Sequence, residues 1–563
     1  MNKMRFSLLV AGVASLCNVA FAQSVDQGKK FLYYHRFKSA NDVFDKILAS
    51  NPNNIEAIYW KGQTLLDLKD SAGAGDIYSK ALQTNGTAPL LLVGMGGVEL
   101  RMGKVADGKA RFETAISLSK GKDIAVLNAI GDNSTDAPAG DAQYAVEKLT
   151  QATQVKGFNS AETYVLMGDA YRKLIDGGNA VTAYQKALTL DPKDAEAKYK
   201  IGLIYQSQNN PEFFLPAYTD AITLDPNYAP AFYALYTWYF SHGDVDKSTD
   251  YLNKYIAVAD ATPQNEYDRI SLGYVAKKYD QTITESKAAI QAQGDKAYPK
   301  YYLLIAYCYD AKNDSTNAKD YLSQYFAKQK ADAFVSNDYK FLGKIQSKFP
   351  TDSAASVGSY MKAIALDTVL ANKLQIIKDA AADAKAAGHK AAYAYWLGVG
   401  YPFIKNPVNS DLFNWGIANY QAGNYKTSDS IFCGMYTSQY PTEIFGYLWC
   451  ARSKQAEDDS LGSQGLAVDA YDKLAQVGRG LDSTAKVAGS ADSIKYKSQI
   501  LTSYGFLASY YNNVKKDRKT AVAYLEKILE VDPTNPDARR FIEILNKPPK
   551  QAAAPAKPKA GAK

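Results

Sequence analysis

Apolar residues recur with a helical period along most of the chain, and the pattern of large and small residues repeats every 34 residues. Three consecutive windows, which begin at Ala161, Ala195 and Ala229, align without a gap. The stretches 184–192 and 218–226, which read YQKALTLDP and YTDAITLDP, are near copies. Turn-forming pairs fall between the expected helices, at Asn209-Asn210, Gly243-Asp244, Asn313-Asp314 and Gly423-Asn424. We therefore predict one pair of antiparallel helices in each window.

The recurring residues are those that two packed helices need. Small residues such as Gly168 and Ala180 let two helices approach closely, and large ones such as Tyr171 and Tyr184 fill the space between neighbours. The Asp191-Pro192 step ends the second helix, because proline restricts the residue before it. Each window is thus predicted to be one compact packing unit.

The pattern resembles the tetratricopeptide repeat (TPR), a pair of antiparallel helices in 34 residues. In that family, bulky, small and aromatic residues occupy fixed positions, and a proline closes the unit. The window from Ala161 matches seven of these positions, with Tyr164, Gly168, Tyr171, Ala180, Tyr184, Ala187 and Pro192. The resemblance implies an all-α fold, a right-handed α-solenoid (superhelix) of tandem antiparallel helix pairs in 34-residue TPR units.

The resemblance is strong over two parts of the chain and moderate elsewhere, and it predicts 11 to 14 units in all. Residues 130–142 are expected to be a loop insertion, and residues 454–466 and 478–492 are expected to be loose. The predicted organisation is a signal peptide (1–22), N-terminal TPR units (23–122), a degenerate repeat with the loop insertion (123–160), central well-formed TPR units (161–262), degenerate TPR-like helical repeats (263–408), C-terminal TPR units with a capping helix (409–546) and a disordered Lys/Pro/Ala tail (547–563).

Residues 1–22 are typical of a secretory signal peptide, in which two basic residues precede a short apolar core and Ala20-Phe21-Ala22 fits the cleavage pattern. Cys17 could carry a lipid, but the large Leu16 before it makes simple cleavage the interpretation we favour. We therefore expect an exported protein, periplasmic or outer-membrane-associated, without a transmembrane segment.

The formal net charge of +7 lies at the two ends of the chain. The signal carries +2 and the tail +5, so the body 23–546 is neutral. A neutral body lacks the basic face that nucleic-acid binding needs, so we expect no nucleic-acid partner. The tail is expected to be a solubilising spacer, with weak contact to an anionic surface as the alternative.

Residues that carry chemistry are sparse in this sequence. Cys433 and Cys450 could form one bridge, but we favour the interpretation that they and Cys308 are buried small apolar residues. Asp132 and Asp136 are predicted to lie in a polar loop that needs no metal. The three histidines are far apart in the chain, at His35, His242 and His389. We therefore predict no catalytic site, no metal and no cofactor, and we do not expect an enzyme.

In the family that the pattern resembles, the first helix of each pair lines a concave groove that binds a peptide or a partner protein. The clamp for a C-terminal carboxylate known in one TPR subgroup is not matched here, because Val165/Asp169 and Tyr199/Leu203 stand at its positions. The groove is instead rich in tyrosine, which suits an extended peptide, although these rings could also be core. The predicted groove residues are Val165, Asp169, Arg172, Tyr199, Leu203, Gln206, Tyr233, Thr237, Phe240, Leu303, Tyr307, Phe413, Ile417 and Tyr420.

Together, signal and repeats favour a non-catalytic protein–protein interaction scaffold or adaptor of the bacterial cell envelope. The alternative is a glycan-binding protein, because starch-utilisation surface proteins are similar in length and carry TPR-like units with aromatic sugar platforms. Those proteins are normally lipidated and have fewer units than this array. The tryptophans that could serve as platforms are Trp238, Trp396, Trp415 and Trp449.

Overall fold

The computed structural model describes residues 24–487 and 496–547, with only the backbone over 484–487. Within these ranges the chain forms helices and no strand, which confirms the predicted all-α fold of tandem helix pairs. The predicted signal peptide lies outside the described residues, as does the tail beyond residue 547. No helix of the described part is long and apolar enough to cross a membrane.

The chain divides into two compact units, and the division falls between Leu304 and Ile305. The described residues of unit 1 form sixteen α-helices and the start of a seventeenth. These are α1 (Val25–Tyr33), α2 (Phe37–Ser50), α3 (Ile55–Asp67), α4 (Ser71–Thr84), α5 (Pro89–Arg101), α6 (Val105–Leu118), α7 (Ile124–Asp136), α8 (Ala142–Thr153), α9 (Ala161–Lys173), α10 (Gly177–Leu190), α11 (Ala195–Ser207), α12 (Pro211–Leu224), α13 (Ala229–Ser241), α14 (Val245–Val258), α15 (Pro263–Val275), α16 (Tyr279–Gln293) and α17 (Lys300–Ala311).

Unit 2 continues the series of helix pairs and ends, within the described residues, on a single helix. Its helices are α18 (Ser315–Lys328), α19 (Ser336–Ser347), α20 (Ser353–Leu366), α21 (Leu370–Ala386), α22 (Lys390–Gly400), α23 (Asn409–Gln421), α24 (Tyr425–Asp429), a π-helical turn (Ser430–Tyr436), α25 (Thr437–Gln439), α26 (Ile444–Glu457), α27 (Val468–Val487), α28 (Lys497–Asn513), α29 (Arg518–Val531) and α30 (Pro536–Asn546). The last of these occupies the place of the predicted capping helix, which covers the final apolar face of a solenoid.

The helix pairs form where the sequence places a glycine opposite an aromatic ring. A Cβ atom on Gly202 would lie 2.5 Å from the ring of Tyr218, and one on Gly416 would lie 2.6 Å from the ring of Phe432. Both rings are fully buried, so the missing side chain is what lets each ring sit between its two helices. The turn at Asn209 has a positive φ of 53°, as a predicted break between paired helices requires.

The expected loop insertion at 130–142 is wrong over most of its length. Helix α7 runs through to Asp136, and only 137–141 connect it to α8. Asn133 and Ser134, which disfavour helix by intrinsic propensity, are buried against neighbouring helices, and this packing overrides the local preference. Asp132 is therefore on a helix and not in a polar loop. Residues 478–487 are likewise helical and not loose, whereas 488–492 lie outside the described residues.

Our expectation of three buried thiols is also wrong. Cys433 and Cys450 form a disulfide, with their Cα atoms 4.9 Å apart, well within the reach of such a bond. It joins the π-helical turn, which carries Cys433, to α26, which carries Cys450. Asp429 lies beside the two sulfurs, but bonded sulfurs offer no thiolate to a metal. Cys308 is buried and is not part of a disulfide, as expected.

The first helix of unit 1 contacts segments far along the same unit, which the repeat pattern does not predict. The hydroxyl of Tyr33 accepts hydrogen bonds from the backbone N–H groups of Ala195 and Glu196, at 3.1 and 3.3 Å. Asp225 accepts a hydrogen bond of 2.9 Å from the hydroxyl of Tyr34. The end of α1 is thereby fixed to the start of α11 and to the loop after α12.

Asp260, in the loop between α14 and α15, holds the start of α2. Its Oδ2 accepts the backbone N–H groups of Lys38 and Ser39, at 2.8 and 3.1 Å, and its Oδ1 accepts the Ser39 hydroxyl at 2.5 Å. The N-cap residue of α2 is Arg36, which makes no capping bond of its own and lies 3.5 Å from Asp260. Asp260 therefore caps α2 from a distant part of the chain. Together with the contacts of α1, this cap forms what we call the closure of unit 1.

Candidate functional site

The predicted groove residues lie on the first helices of the pairs, and the structure separates those that reach the surface from those that do not. Val165 and Leu303 are buried, with 4% and 5% of their surface exposed, so they belong to the core. Arg172 is exposed. The other predicted groove residues are half-buried, so part of the surface of each one is open to a ligand.

Asp169 is neutralised by its own neighbours. Lys200 Nζ lies 2.5 Å from Asp169 Oδ2 and 2.7 Å from Glu196 Oε1, and the Tyr184 hydroxyl donates to Asp169 Oδ1 at 2.8 Å. Burial opposes the charge of Lys200, but Asp169 and Glu196 together hold its pKa well above the usual range. Asp169 is thus part of a structural ion-pair network that links α9 to α11.

The first helices of unit 1 carry further acids, of which sequence reasoning missed Asp67 and placed Asp132 and Asp136 in a loop. Burial and the charge of Asp136 raise the pKa of Asp67 to about 7, while Arg101 and Lys69 act against this rise. Burial, Asp136 and Asp67 also raise the pKa of Asp132. Asp132 and Asp136 are four residues apart on α7, the spacing of neighbours on one helix face, and this spacing is the signal by which the sequence could have indicated the group.

The predicted groove residues of α11 support the core as much as they offer surface. The ring of Tyr199 packs 5.4 Å from that of Tyr218 and 5.6 Å from that of Tyr228. Gln206 accepts a hydrogen bond of 2.6 Å from the Tyr218 hydroxyl, and Leu203 packs in the same apolar cluster. These contacts fix the side chains in place, so a ligand at α11 would meet a rigid surface.

On α13 the predicted residues surround a second aromatic cluster. Tyr233 packs 5.6 Å from Tyr236 and 4.9 Å from Tyr255, and Phe240 packs 5.6 Å from Tyr236. The Thr237 hydroxyl is used within the helix, where it donates to a backbone carbonyl. Tyr233 is therefore the predicted groove residue of this helix that combines an aromatic face with a hydroxyl group.

Unit 2 contains a cleft with a volume of about 430 Å³ on its first helices. One wall is the ring of Tyr307, a predicted groove residue, stacked at 4.2 Å and 30° on Phe341. The cleft is lined by Tyr307, Asn337, Lys340, Phe341, Lys344, Tyr360, Asp379, Ala382 and Asp383. It combines aromatic and charged side chains in one concavity, as a ligand site does.

The charges of the cleft are organised by ion pairs at its edge. Lys340 Nζ lies 2.6 Å from Asp379, and Lys344 Nζ lies 2.7 Å from Asp310, a residue next to the cleft. The Tyr360 hydroxyl donates to Asp383, and burial raises the pKa of that carboxyl group. A charged group of a ligand, whether positive or negative, can therefore replace one partner of such an ion pair. Phe341 was missed from the sequence because its stretch lacks the signature spacing.

The remaining predicted residues of unit 2 pack against their own chain. Phe413 contacts the rings of Phe432 and Tyr436, and Ile417 packs in the same core cluster. Tyr420 lies 5.0 Å from the ring of Trp449. These positions therefore belong to the apolar packing of unit 2.

The tryptophans do not present a row of open platforms. Trp396 is 1% exposed and belongs to the core. The ring of Trp238 lies 3.7 Å from that of His242, and the ring of Trp415 is stacked at 5.4 Å on Tyr401. Side chains of the protein itself therefore pack against these tryptophan rings, on which a sugar would have to stack.

Family models of the tetratricopeptide repeat match several parts of the chain. A Tetratricopeptide repeat model matches residues 25–89, a TPR repeat model matches 168–209, and a second Tetratricopeptide repeat model matches 195–228 and 299–326. The last match falls within the region expected to be degenerate. The chain therefore contains tetratricopeptide repeats, a class of repeat that binds protein or peptide partners.

A TPR repeat-containing protein of Methanocaldococcus jannaschii is 23% identical over 198 residues, which are 32% of this chain and 34% of that protein. The chain thus matches about a third of the length of this relative. The solved C-terminal part of a TPR repeat-containing protein from Cytophaga hutchinsonii is 25% identical, covers 49% of this chain and 99% of its own, and has a TM-score of 0.24. Yeast Tom70 is 13% identical, with 70% and 95% covered and a TM-score of 0.38. These values are too low to transfer a partner to this chain.

Proposed function

We propose that the protein is a non-catalytic interaction scaffold that binds an extended peptide segment of a partner protein in the cleft of unit 2. The observation that carries this proposal is the cleft itself, where the stacked rings of Tyr307 and Phe341 stand beside lysine and aspartate side chains. Its volume lies in the range of roughly 300–1,000 Å³ that is usual for ligand pockets. Such a site can hold one or two side chains of a peptide.

The chemistry of the cleft suits a peptide better than a folded surface. Aromatic rings give contact area at a low cost in conformational entropy, and they accept apolar side chains of many shapes. Lys340 and Asp379 are paired with each other, so each can be released to a charged group or to a backbone group of the ligand. Three successive first helices, α17, α19 and α21, contribute to the lining, so the cleft extends over more than one helix pair, as recognition of an extended segment requires.

We further propose that the scaffold works outside the cytosol, in the bacterial cell envelope. Two observations support this location. The segment 1–22 is typical of a secretory signal, although it lies outside the described residues. The disulfide between Cys433 and Cys450 is of the kind that persists in oxidising compartments and is rare in the cytosol.

The experiment selects ligands for the purified full-length chain from a displayed library of random twelve-residue peptides, and measures their affinity by fluorescence anisotropy. We expect selected peptides to bind at least tenfold more weakly to Tyr307→Ala. Tyr395→Ala is the matched control, because Tyr395 is an exposed tyrosine of unit 2 outside the cleft. The proposal fails if no peptide is enriched, or if the two variants bind selected peptides equally well.

A further inference from the structure

Three side chains with metal-binding atoms meet where the π-helical turn packs against α26. A carboxylate oxygen of Asp429 and the Sγ atoms of Cys433 and Cys450 all lie within 4.8 Å of one another. Asp429 and Cys433 are four residues apart, the spacing of neighbours on one helix face, and both contact α26. While the disulfide is intact these sulfurs offer no thiolate, so the group can bind a metal only after reduction.

Contacts other than the disulfide hold the two sides of this group together. The hydroxyl groups of Ser428 and Ser453 form a hydrogen bond of 2.7 Å, and both residues are fully buried. One turn further along, Asp429 Oδ2 lies 3.1 Å from Lys454 Nζ. These contacts link α24 to α26 and do not involve sulfur. Reduction of the disulfide therefore leaves two thiols and the carboxyl group side by side.

A reductant can reach the disulfide from the side of the π-helical turn. Cys433 is half-buried and the Asp429 side chain is 21% exposed, whereas Cys450 is 8% exposed. A dithiol can therefore attack Cys433 Sγ, form a mixed disulfide with it and release Cys450 as the leaving thiolate. The second thiol of the reductant then releases Cys433. Two electrons and two protons pass to the cysteines, and the dithiol becomes a disulfide.

Reduction changes the balance of charge at this position. Two thiolates and the Asp429 carboxylate carry three negative charges, against the single positive charge of Lys454. A divalent cation cancels the remaining two. Asp429 Oδ2 is paired with Lys454, whereas Oδ1 is buried and makes no hydrogen bond with the described residues. A buried oxygen without a partner is costly, and a metal ion beside it would be that partner.

The ligand atoms need to move only a little to surround a metal ion. With Zn–S bonds of about 2.3 Å and Zn–O bonds of about 2.0–2.2 Å, the ligand atoms of a tetrahedral site lie roughly 3.5–3.8 Å apart. Once the bond between the sulfurs is broken, they separate to this distance, and the carboxylate oxygen approaches them by about 1 Å or less. The ion thus occupies space that the broken bond opens between its own ligands.

The chemistry of the three ligands selects the metal. Calcium and magnesium prefer sites made of oxygen ligands, and copper(I) prefers soft sulfur ligands. Zinc is borderline between these classes and accepts thiolate and carboxylate ligands in one tetrahedral site. The mixed set of two sulfurs and one oxygen therefore favours zinc.

We propose that Asp429, Cys433 and Cys450 form a Zn²⁺ site once a dithiol has reduced the disulfide, with water as the fourth ligand. Zinc binding releases the two thiol protons to solvent. The metal then joins the π-helical turn to α26 in place of the covalent bond. This inference does not depend on peptide binding by the cleft.

The test measures zinc bound to the purified full-length chain by equilibrium dialysis and metal analysis, without oxygen and with a phosphine as reductant. We expect an equimolar amount of Zn²⁺ on the reduced chain and at least hundredfold weaker binding to the oxidised chain. Asp429→Asn should weaken zinc binding at least tenfold, since loss of a group that merely supports a metal ligand already costs about 10- to 100-fold. Asp469→Asn is the matched control, because Asp469 is an exposed acid of unit 2 outside the group. The proposal is overturned if the oxidised chain binds zinc as tightly as the reduced chain, or if the two variants bind it equally.

Cobalt(II) in place of zinc reports the sulfur ligands directly, because thiolates bound to Co²⁺ give a charge-transfer band in the near ultraviolet. We expect this band in the reduced chain and in reduced Cys308→Ala, whose altered residue lies on α17 outside the group. Reduced Cys433→Ser should show at most half of the band, and a band of full intensity would overturn the proposal. Where Cys433→Ser does not fold, Asp429→Asn decides, because it keeps both cysteines and can still form the disulfide.

Discussion

Replacing Asp260 by alanine should release a helix more than two hundred residues away in sequence. The side chain accepts two backbone N–H groups and one hydroxyl group at the start of α2, and it lies 3.5 Å from Arg36. In a solenoid held by nearest neighbours alone, a change in the loop after α14 would affect only adjacent pairs. The closure predicts an effect on α2 as well.

The size of the effect follows from the bonds that are lost. An N-cap contributes about 1 kcal/mol, and hydrogen bonds to a charged group contribute about 1.5–3 kcal/mol each before partial compensation by water. The ion pair with Arg36 adds up to about 1 kcal/mol, because the Asp260 side chain is only 12% exposed while that of Arg36 is 33% exposed. We expect a total loss of about 3 kcal/mol in the local stability of α2.

Hydrogen exchange followed by mass spectrometry measures this loss directly. A change of about 3 kcal/mol should speed exchange of the amides of 38–48 by roughly 100-fold, since about 1.4 kcal/mol corresponds to a factor of ten. Asp250→Ala is the control, because it removes an exposed acid of α14 that does not contact α2. Unchanged exchange over 38–48 in Asp260→Ala, with faster exchange confined to α14 and α15, would refute the reasoning.

Three further predictions concern the described contacts. Cys450→Ser should destabilise unit 2 by about 3 kcal/mol in chemical denaturation, because the disulfide closes a loop with a sequence separation of 17, and reductant should have no further effect on this variant. Gly202→Ala should cost about 1–3 kcal/mol in thermal melting, because the added Cβ meets the ring of Tyr218, whereas Gly505→Ala, which meets nothing within 4 Å, should be neutral or slightly stabilising. Burial is the main cause that raises the pKa of Asp268, on α15, to about 6. Because the charged form is disfavoured in the folded protein, the contribution of Asp268 to the free energy of unfolding is highest below about pH 4 and falls as the pH rises through 6. Asp268→Asn should remove about 3 kcal/mol of this pH dependence, and parallel stability curves for the two proteins would contradict the assignment.

The helix pairs could be predicted from sequence because their determinants are local. Gly202 and Tyr218 stand at a fixed spacing within one unit, so the pattern alone indicates their contact. Helix α7 could not be predicted in this way, because its asparagine, serine and aspartate residues disfavour helix until neighbouring helices bury them. Cys433 lies in a π-helical turn, which a period of 3.6 residues does not reveal, so the sequence left its pairing with Cys450 open.

The candidate site was predictable to a similar degree. Tyr233 and Tyr307 follow from their repeat positions, and the structure places each in a cluster with exposed surface. Phe341 comes from a stretch that keeps helical periodicity but loses the signature spacing, so no repeat position marks it. Asp260 acts on α2 through contacts that span other repeats, and such contacts leave no local signal in the sequence.

The closure of unit 1 also determines the order in which its contacts form while the chain is synthesised. Asp260 and Lys38 are 222 residues apart, so a chain that emerges N-terminus first presents α2 long before the residue that caps it exists outside the ribosome. Contacts of such high sequence separation form late, because a long loop must be ordered first. The first helix pair of unit 1 therefore forms early, whereas its contacts with Asp260 form late. In the interval, the uncapped start of α2 and the rings of Tyr33 and Tyr34 are the surface that a nascent-chain chaperone would meet.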